Sequence, residues 1–207
     1  MIQMMDDKLK SDGYIKFICD FIEAGTIPAK DILELNKWRD KLYSLKLIGA
    51  YSNGIGYGNI SVRKNKNIFL ITGSATGNFP VLNGDHYSEV TDFDLDKNYL
   101  KCKGPIKASS ESMTHAAIYS IDKNINAVIH VHNLELWSKL LNKFPTTSKN
   151  AAYGTPDIAK EMIRLFKDEN AGKKGIIVTE GHKEGVFTFG KDLDAACSTL
   201  MKYYTKV

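Results

Sequence analysis

The chain has 207 residues and a mass of 23.1 kDa, which suits one domain or at most two small ones. It is 43% hydrophobic and 25% charged, a composition that excludes disorder of the whole chain. Its net charge is +4, but the basic residues are scattered along the chain, so no nucleic-acid surface is predicted. Its three cysteines are far apart, and it shows neither a signal peptide nor a long apolar run. We therefore expect a cytoplasmic protein without disulfides or membrane segments.

The first apolar pattern has helical spacing and stops at Gly25, which predicts an extra amino-terminal helix over about residues 8–24, within the segment 1–27. Its members are Tyr14, Phe17, Ile18, Phe21 and Ile22. A second helix is expected to begin at Pro28, because proline suits the first turn of a helix. Its apolar face would consist of Ile32, Leu35, Trp38, Leu42 and Leu45.

The next sixty residues favour short strands and turns. Residues 49–58 are dense in Gly, Ser, Asn and Tyr and predict a loop. Strands are expected over residues 59–62, 68–72 and 99–102.

From residue 111 onward the pattern alternates between helix and strand. Helices are expected around residues 113–120, 134–141, 158–166 and 193–204. Strands are expected over residues 127–131, 175–179 and 186–189, the last two as a pair. Residues 1–207 are therefore predicted to form a single α/β domain in which helices cover a sheet.

Three histidines lie at the ends of predicted strands. His130 and His132 are two apart in a strand, so both imidazoles face the same side and can reach one ion. His182 follows another apolar strand, and three imidazoles leave one coordination position open, as in catalytic zinc sites. The alternative is a pair of hydrogen-bonded histidines at a sheet edge and an ordinary loop histidine.

Hydroxyl- and glycine-rich turns supply the other candidate residues. Ser109, Ser110 and Glu111 precede a helix, where hydroxyls and backbone N–H groups bind a phosphate and the carboxylate acts as an acid/base. Simple helix capping explains the same triplet. Further donors are available around Asn59 and in the turn over residues 72–77, although most such turns are only turns.

Taken in order, these segments resemble the class II aldolase/adducin family over roughly residues 28–206. The matching segments are GNISVR at 58–63, ITGS at 71–74, SSE at 109–111 with His115 and Tyr119, AVIHVH at 127–132, Gly154-Thr155, and Gly181-His182 leading to GKDL at 190–193. Ser-Ser-Glu followed by a strand His-x-His is a specific combination.

The resemblance implies a three-layer α/β/α fold with a mixed, mostly antiparallel central sheet, in a homotetramer with active sites at subunit interfaces. It implies that His130, His132 and His182 bind zinc and that Glu111 is the catalytic acid/base. Residues implied in holding a substrate phosphate are Asn59, Ser109 and Ser110, with Ser74, Thr76 or Gly77 from the 72–77 turn. His115 looks like the family's helix histidine, with a supporting role.

The implied activity is that of an aldolase, a zinc-dependent lyase that cleaves or forms a C–C bond in a small phosphorylated sugar or ketose through a metal-stabilised enediolate. Dehydratase, epimerase or decarboxylase chemistry on a sugar phosphate would use the same zinc site. A non-catalytic, adducin-like binding module would keep the fold but not the metal.

Two departures from the family pattern affect these expectations. The segment between His132 and Gly154 is short, and Tyr153 does not occupy the position of the family's tyrosine acid, so that role is not transferred to it. The turn of the third histidine reads His182-Lys183-Glu184-Gly185, where many relatives have His-Gly directly. The identity of the proton donor, and with it the exact reaction, stays open.

Overall fold

The computed structural model describes residues 14–205. The strands are β1 (Ile18–Glu23), β2 (Gly49–Ala50), β3 (Gly56–Tyr57), β4 (Asn59–Asn65), β5 (Ile68–Thr72), β6 (Tyr87–Asp94), β7 (Tyr99–Gly104), β8 (Ala127–His132), β9 (Thr146–Thr147), β10 (Ile176–Thr179) and β11 (Gly185–Gly190). The α-helices are α1 (Ala29–Ser44), α2 (Ser112–Ile121), α3 (Leu134–Leu140), α4 (Pro156–Glu169), α5 (Ala171–Lys174) and α6 (Leu193–Tyr204), and a 3₁₀ turn covers Gly84–His86.

Nine strands form one mixed sheet in the order β1-β7-β6-β5-β4-β8-β11-β10-β9. The outer pairs β1/β7 and β9/β10 are parallel, and every pair between them is antiparallel. Strands β2 and β3 form a separate small hairpin. The mixed, mostly antiparallel sheet predicted from the sequence is therefore confirmed.

Helices cover both faces of this sheet, because the strands are apolar on both faces and alternate residues point to opposite sides. One apolar cluster joins α2, α4 and α5 to one face, and a second joins α1, α3 and α6 to the other. All six residues of β8 are buried between the two layers. The three-layer α/β/α architecture is thus confirmed. Within residues 14–205, no helix is both long and apolar enough to cross a membrane.

The predicted amino-terminal helix is wrong over the described residues, and residues 1–13 lie outside them. The segment instead forms β1, an edge strand parallel to β7. Phe17 is 6% exposed whereas Ile18 is 65% exposed, which is the alternation of a strand. Apolar spacings of three and four residues favour a helix, and the edge of β7 overrides this local preference because it offers a ladder of backbone hydrogen bonds.

The structure also contains elements that the sequence pattern did not reveal. Strand β6 reads as polar because it presents Ser, Glu, Thr and Asp residues, and its Glu89 pairs with Lys64 and Lys103 on the solvent side. The expected loop over residues 49–58 contains the β2/β3 hairpin. Short elements such as β9 and α5 have too few residues for a recognisable period.

Candidate metal centre and active site

His130 and His132 end strand β8 at the centre of the sheet, and both face the side covered by α2. Their Nε2 atoms are 3.0 Å apart. His182 approaches from the turn between β10 and β11, and one ring nitrogen from each histidine lies within 4.8 Å of the others. All three side chains are buried. We call these three residues the histidine cluster.

The His182 turn is held by hydrogen bonds from a single hydroxyl. Thr179 Oγ1 lies 2.8 Å from the carbonyl oxygen of His182 and 2.9 Å from that of Gly185. A Cβ atom on Gly185 would lie 2.3 Å from Thr179 Oγ1 and 3.0 Å from His130 Cε1. Only glycine therefore allows the turn to approach β8 closely enough for His182 to join the other two imidazoles.

The Nδ1 atoms of His130 and His132 face away from the cluster and carry the ring protons. The Nε2 atoms, which face into the cluster, are therefore unprotonated in the neutral rings. His130 Nδ1 lies 3.3 Å from the carbonyl oxygen of Val186, and His132 Nδ1 lies 2.8 Å from the hydroxyl of Tyr51. Burial, with a smaller effect from His182, lowers the pKa of His130 well below its usual value, so its imidazole is neutral. Nε2 of His130 then presents a lone pair, and Nε2 of His132 does the same when its only ring proton is on Nδ1, an arrangement that fits a bound divalent cation.

Glu111 places a carboxylate beside the histidine cluster. Its Oε1 lies 3.1 Å from Nδ1 of His182 and 3.9 Å from Nε2 of His130, and it is buried without a hydrogen bond to any residue in the range 14–205. Its Oε2 lies 3.3 Å from the hydroxyl of Thr114. Helix α2 begins without a side-chain cap, so capping does not account for this carboxylate. An orphaned buried oxygen at this position suits a cation or a substrate proton.

The two predicted hydroxyl-rich turns lie side by side. The N–H of Ser109 donates to the carbonyl oxygen of Thr72 at 3.2 Å, and the N–H of Ser74 donates to that of Lys107 at 2.9 Å. These backbone bonds bring the 109–111 turn and the 72–77 turn to one rim of the cluster. Residues of both turns therefore line one shared space.

Within the 72–77 turn, two of the predicted residues have structural contacts. The hydroxyl of Thr76 donates to the carbonyl oxygen of Gly73 at 2.9 Å and thereby closes the turn. A Cβ atom on Gly77 would lie 2.1 Å from the carbonyl oxygen of Gly49, so this glycine lets the turn pack against the β2/β3 hairpin. Arg39 of α1, 1% exposed, donates to the carbonyl oxygens of Thr76 and Pro80 and fastens the turn to the helix layer.

Asn59 is oriented by a buried chain of hydrogen bonds. Its Oδ1 lies 2.6 Å from His115 Nε2, whose Nδ1 lies 2.7 Å from the hydroxyl of Ser61, which in turn lies 2.7 Å from the hydroxyl of Tyr119. An amide oxygen only accepts, so His115 Nε2 carries the proton and Ser61 donates to Nδ1. Burial lowers the pKa of His115 to about 3, which keeps it neutral. The Nδ2 donors of Asn59 are thus left for the cleft.

All ten residues selected from the sequence line one cleft of about 260 Å³. They are Asn59, Ser74, Thr76, Gly77, Ser109, Ser110, Glu111, His130, His132 and His182. The cleft also contacts Tyr14 and Tyr57, neither of which was selected.

The sequence model of the Class II Aldolase and Adducin N-terminal domain family matches residues 51–203. The chain belongs to this family. Class II aldolases are metal-dependent, in keeping with the histidine cluster. Among curated proteins, the L-fuculose phosphate aldolase of Methanocaldococcus jannaschii is 30% identical over 167 residues, which cover 74% of this chain and 80% of that protein.

Solved structures share the class II aldolase fold of this chain. An L-fuculose 1-phosphate aldolase superposes with a TM-score of 0.64 and 19% identity, over 87% of this chain and 84% of the other. YgbL of Klebsiella pneumoniae, described as a putative aldolase/epimerase/decarboxylase, has a TM-score of 0.62 and 19% identity, over 84% of each chain. At these identities, the structures support the fold of this class II aldolase-family chain and not a particular reaction.

Sequence reasoning missed several residues around the site of this class II aldolase-family chain. Tyr51 and Glu184 contact each other, and Tyr51 contacts His132, yet they lie 133 positions apart and share no motif. Ser61 was noted only as part of the family motif, although it bridges His115 and Tyr119. The sequence signal for Tyr51 was the density of Gly, Ser, Asn and Tyr in residues 49–58. This composition predicts a loop but not the contacts that the loop makes.

We expect Ser61→Ala to lower the free energy of unfolding by about 1–3 kcal/mol, because Nδ1 of His115 and the hydroxyl of Tyr119 both lose a buried partner. Urea denaturation measures the change. The control is Ser120→Ala on the exposed face of α2, whose hydroxyl bonds only within the helix; we expect a change within about 0.5 kcal/mol. Equal changes in the free energy of unfolding for the two variants would show that the buried hydrogen bonds of Ser61 do not stabilise the fold more than an exposed hydroxyl does.

Proposed function

We propose that this protein is a zinc-dependent lyase that cleaves or forms a C–C bond in a small phosphorylated sugar or ketose. One observation supports this above the others: three buried imidazoles converge beside an orphaned carboxylate oxygen in a cleft lined with hydroxyl-rich turns. The curated relative named L-fuculose phosphate aldolase supports an aldol reaction on a sugar phosphate.

The proposed ligands of the cation are His130, His132 and His182, which are neutral when coordinated and leave a position for substrate. When bound, zinc supplies a Lewis acid that stabilises the negative charge developing on the substrate oxygens. The residues of the chain hold the substrate against that site and move its protons. Their burial excludes water, which strengthens every electrostatic interaction within the cleft.

Glu111 is proposed to move the proton on the carbon where the bond breaks or forms. Its Oε1 is buried and has no hydrogen bond to a described residue, and its Oε2 is held near the hydroxyl of Thr114. One oxygen is thus anchored while the other is available for the proton. General acid–base catalysis of this kind requires a hydrogen-bond distance to the reacting atom, which the cleft allows.

The phosphate of the substrate is proposed to bind at the rim formed by the two turns. Asn59 would contribute its Nδ2 donors, and Ser74, Ser109 and Ser110 would contribute their hydroxyl groups, because the backbone N–H groups of Ser74 and Ser109 already donate to Lys107 and Thr72. Thr76 and Gly77 would take part mainly through the backbone, because the Thr76 hydroxyl already donates to Gly73. Anchoring the phosphate end orients the reacting carbons and lowers the entropic part of the barrier.

A non-catalytic binding module does not require the observed convergence of three histidines and a carboxylate. Such a domain keeps the fold without needing three imidazoles and a carboxylate to meet in a buried space. Burying those groups costs free energy unless they are paired or bound to a cation. The convergence of His182 with the strand pair, which requires glycine at position 185, therefore favours the enzyme.

The first test combines metal content with a condensation assay. We expect purified protein to contain about one zinc per chain, and to condense dihydroxyacetone phosphate with at least one of a panel of aldehydes. A zinc-loaded protein that condenses none of them would point to dehydratase, epimerase or decarboxylase chemistry on a sugar phosphate. A folded protein that binds no divalent metal would favour the binding module.

The remaining expectations are part of the same proposal. We propose that residues 1–207 act as a single domain, that the protein is cytoplasmic, and that it assembles as a homotetramer with interfacial active sites. The family resemblance supports the tetramer, and the scattered cysteines support a reducing compartment. Light scattering coupled to size-exclusion chromatography measures the mass of the assembly.

A further inference from the structure

We propose that Tyr51 and Glu184 form a positioning pair that holds His132 in the tautomer and orientation of a metal ligand. The pair matters only if the histidine cluster binds a cation, so it rests on the function proposed above. Neither residue belongs to the motifs that identify the family, and Glu184 lies in the turn where this sequence departs from the His-Gly pattern of many relatives.

The proton positions follow from what each group is able to donate. The hydroxyl of Tyr51 donates to Oε2 of Glu184 at 3.0 Å, because a carboxylate only accepts. The phenolic oxygen keeps its lone pairs and lies 2.8 Å from Nδ1 of His132. The Nδ1–H group therefore donates to Tyr51. A neutral imidazole has only one such proton, so Nε2 is the coordinating nitrogen.

Backbone contacts on both sides hold the pair in place. The N–H of Tyr51 donates to the carbonyl oxygen of Ile55 at 2.9 Å, and its ring packs on Tyr57 with centroids 4.6 Å apart. The carbonyl oxygen of Glu184 accepts from the N–H of Asn133 at 3.0 Å. Glu184 has a φ of 72°, in the left-handed region that residues other than glycine rarely adopt. Such a conformation at a site is a reason to look for a function of the side chain.

A metal-bound histidine usually donates its other ring N–H directly to a carboxylate, a backbone carbonyl oxygen or water. Here the phenol of Tyr51 stands between the imidazole and the carboxylate and transmits the hydrogen bond. Residues in this position fix the tautomer and increase the basicity of the ligand, and their removal typically weakens metal binding by about 10–100-fold. Because neither Tyr51 nor Glu184 is among the described residues that line the cleft, we expect their removal to affect metal affinity first.

The experiment measures zinc affinity in the absence of substrate. Metal-free Tyr51→Phe and Glu184→Ala proteins are titrated with zinc against a chromogenic chelator, and circular dichroism confirms that each variant is folded. We expect both to bind zinc about 10–100-fold more weakly than the wild type. We also expect the double variant to lose no more than the more affected single variant, because both residues act through one hydrogen-bonded path.

Two matched controls separate positioning from packing and charge. Tyr57→Phe keeps the ring that stacks on His132 at 5.6 Å and removes a hydroxyl that lies 3.4 Å from the carbonyl oxygen of Lys46. Glu180→Ala removes an equal charge from the start of the same turn. We expect both controls to bind zinc as the wild type does. A nitrogen NMR measurement on metal-free protein should show the proton on Nδ1 of His132, and a mixture of tautomers in Tyr51→Phe.

The outcomes distinguish this proposal from the proposed reaction. Weak zinc binding by the two single variants but not by the controls supports the pair, even if the wild type cleaves no sugar phosphate. The proposal is overturned if the single variants bind zinc as tightly as the controls do, or if the wild type binds no zinc. It is also overturned if the fold-losses of zinc affinity in the two single variants multiply in the double variant.

Discussion

Replacing Glu111 by Gln is expected to reduce turnover by about 10²- to 10⁴-fold while leaving most of the bound metal in place. The amide has nearly the shape of the carboxylate, so the contact with Thr114 and the packing beside His182 are retained. What is lost is the ability of Oε1 to accept and return a proton. Steady-state kinetics on the substrate found by the screen, together with metal analysis of the same sample, checks both parts.

The control for this variant is Glu135→Gln, an equal change of charge at an exposed position of α3. It should have wild-type kinetics. If Glu111→Gln retained full activity, the carboxylate would not be the proton-transfer group. If it instead lost metal and activity together, Glu111 would act mainly by holding the cation, and another group would have to move the proton.

Removing the imidazole of His182 is expected to abolish metal binding and activity together. His182→Ala leaves two imidazoles on β8, which are too few to hold a catalytic divalent cation with an open position. We expect the loss of metal affinity to exceed the 10–100-fold that follows removal of residues that only orient a ligand. Zinc titration against a competing chelator measures the affinity, and the aldol assay measures the residual rate.

His182 is the most informative of the three proposed ligands to replace, because it lies on the turn between β10 and β11 whereas His130 is wholly buried within strand β8. The fold should therefore survive the substitution. The control is His86→Ala in the 3₁₀ turn, a histidine that is not among the described residues lining the cleft; this variant should keep its metal and its activity. Normal metal content in His182→Ala would mean that the cation is held by a different set of residues.

The comparison of sequence and structure is most instructive when the central elements are set against the edge strand β1. Strands β5 and β8 and helices α2 and α6 were predicted almost to the residue, because long apolar periods bounded by turn residues have few alternative structures. Strand β1 was predicted as a helix, since its apolar residues are spaced three and four positions apart, as on one face of a helix and not as in an alternating strand. The free edge of β7 decided between them, and that edge is a long-range feature.

A similar limit applies around the metal centre. His130 and His132 could be paired from the sequence alone, because two residues of one strand separated by one position must face the same side. Which ring nitrogen carries the proton could not be predicted, because it depends on hydrogen bonds to Val186 and Tyr51. Only the folded sheet and the segment next to the β2/β3 hairpin bring these two residues to the histidines. The same holds for the orientation of the Asn59 amide by His115.

The sequence by itself determined the family, the layered α/β architecture and the residue types needed for a metal-dependent reaction, since these depend on local periods and short motifs. Only the tertiary structure decided which ring nitrogens face one another, which carboxylate oxygen has no hydrogen bond to a described residue, and which distant residues contact the histidine cluster. The physical reason is that hydrogen-bond direction and burial depend on contacts between segments far apart in the chain. A linear pattern records the residues that make those contacts but not the distances between them.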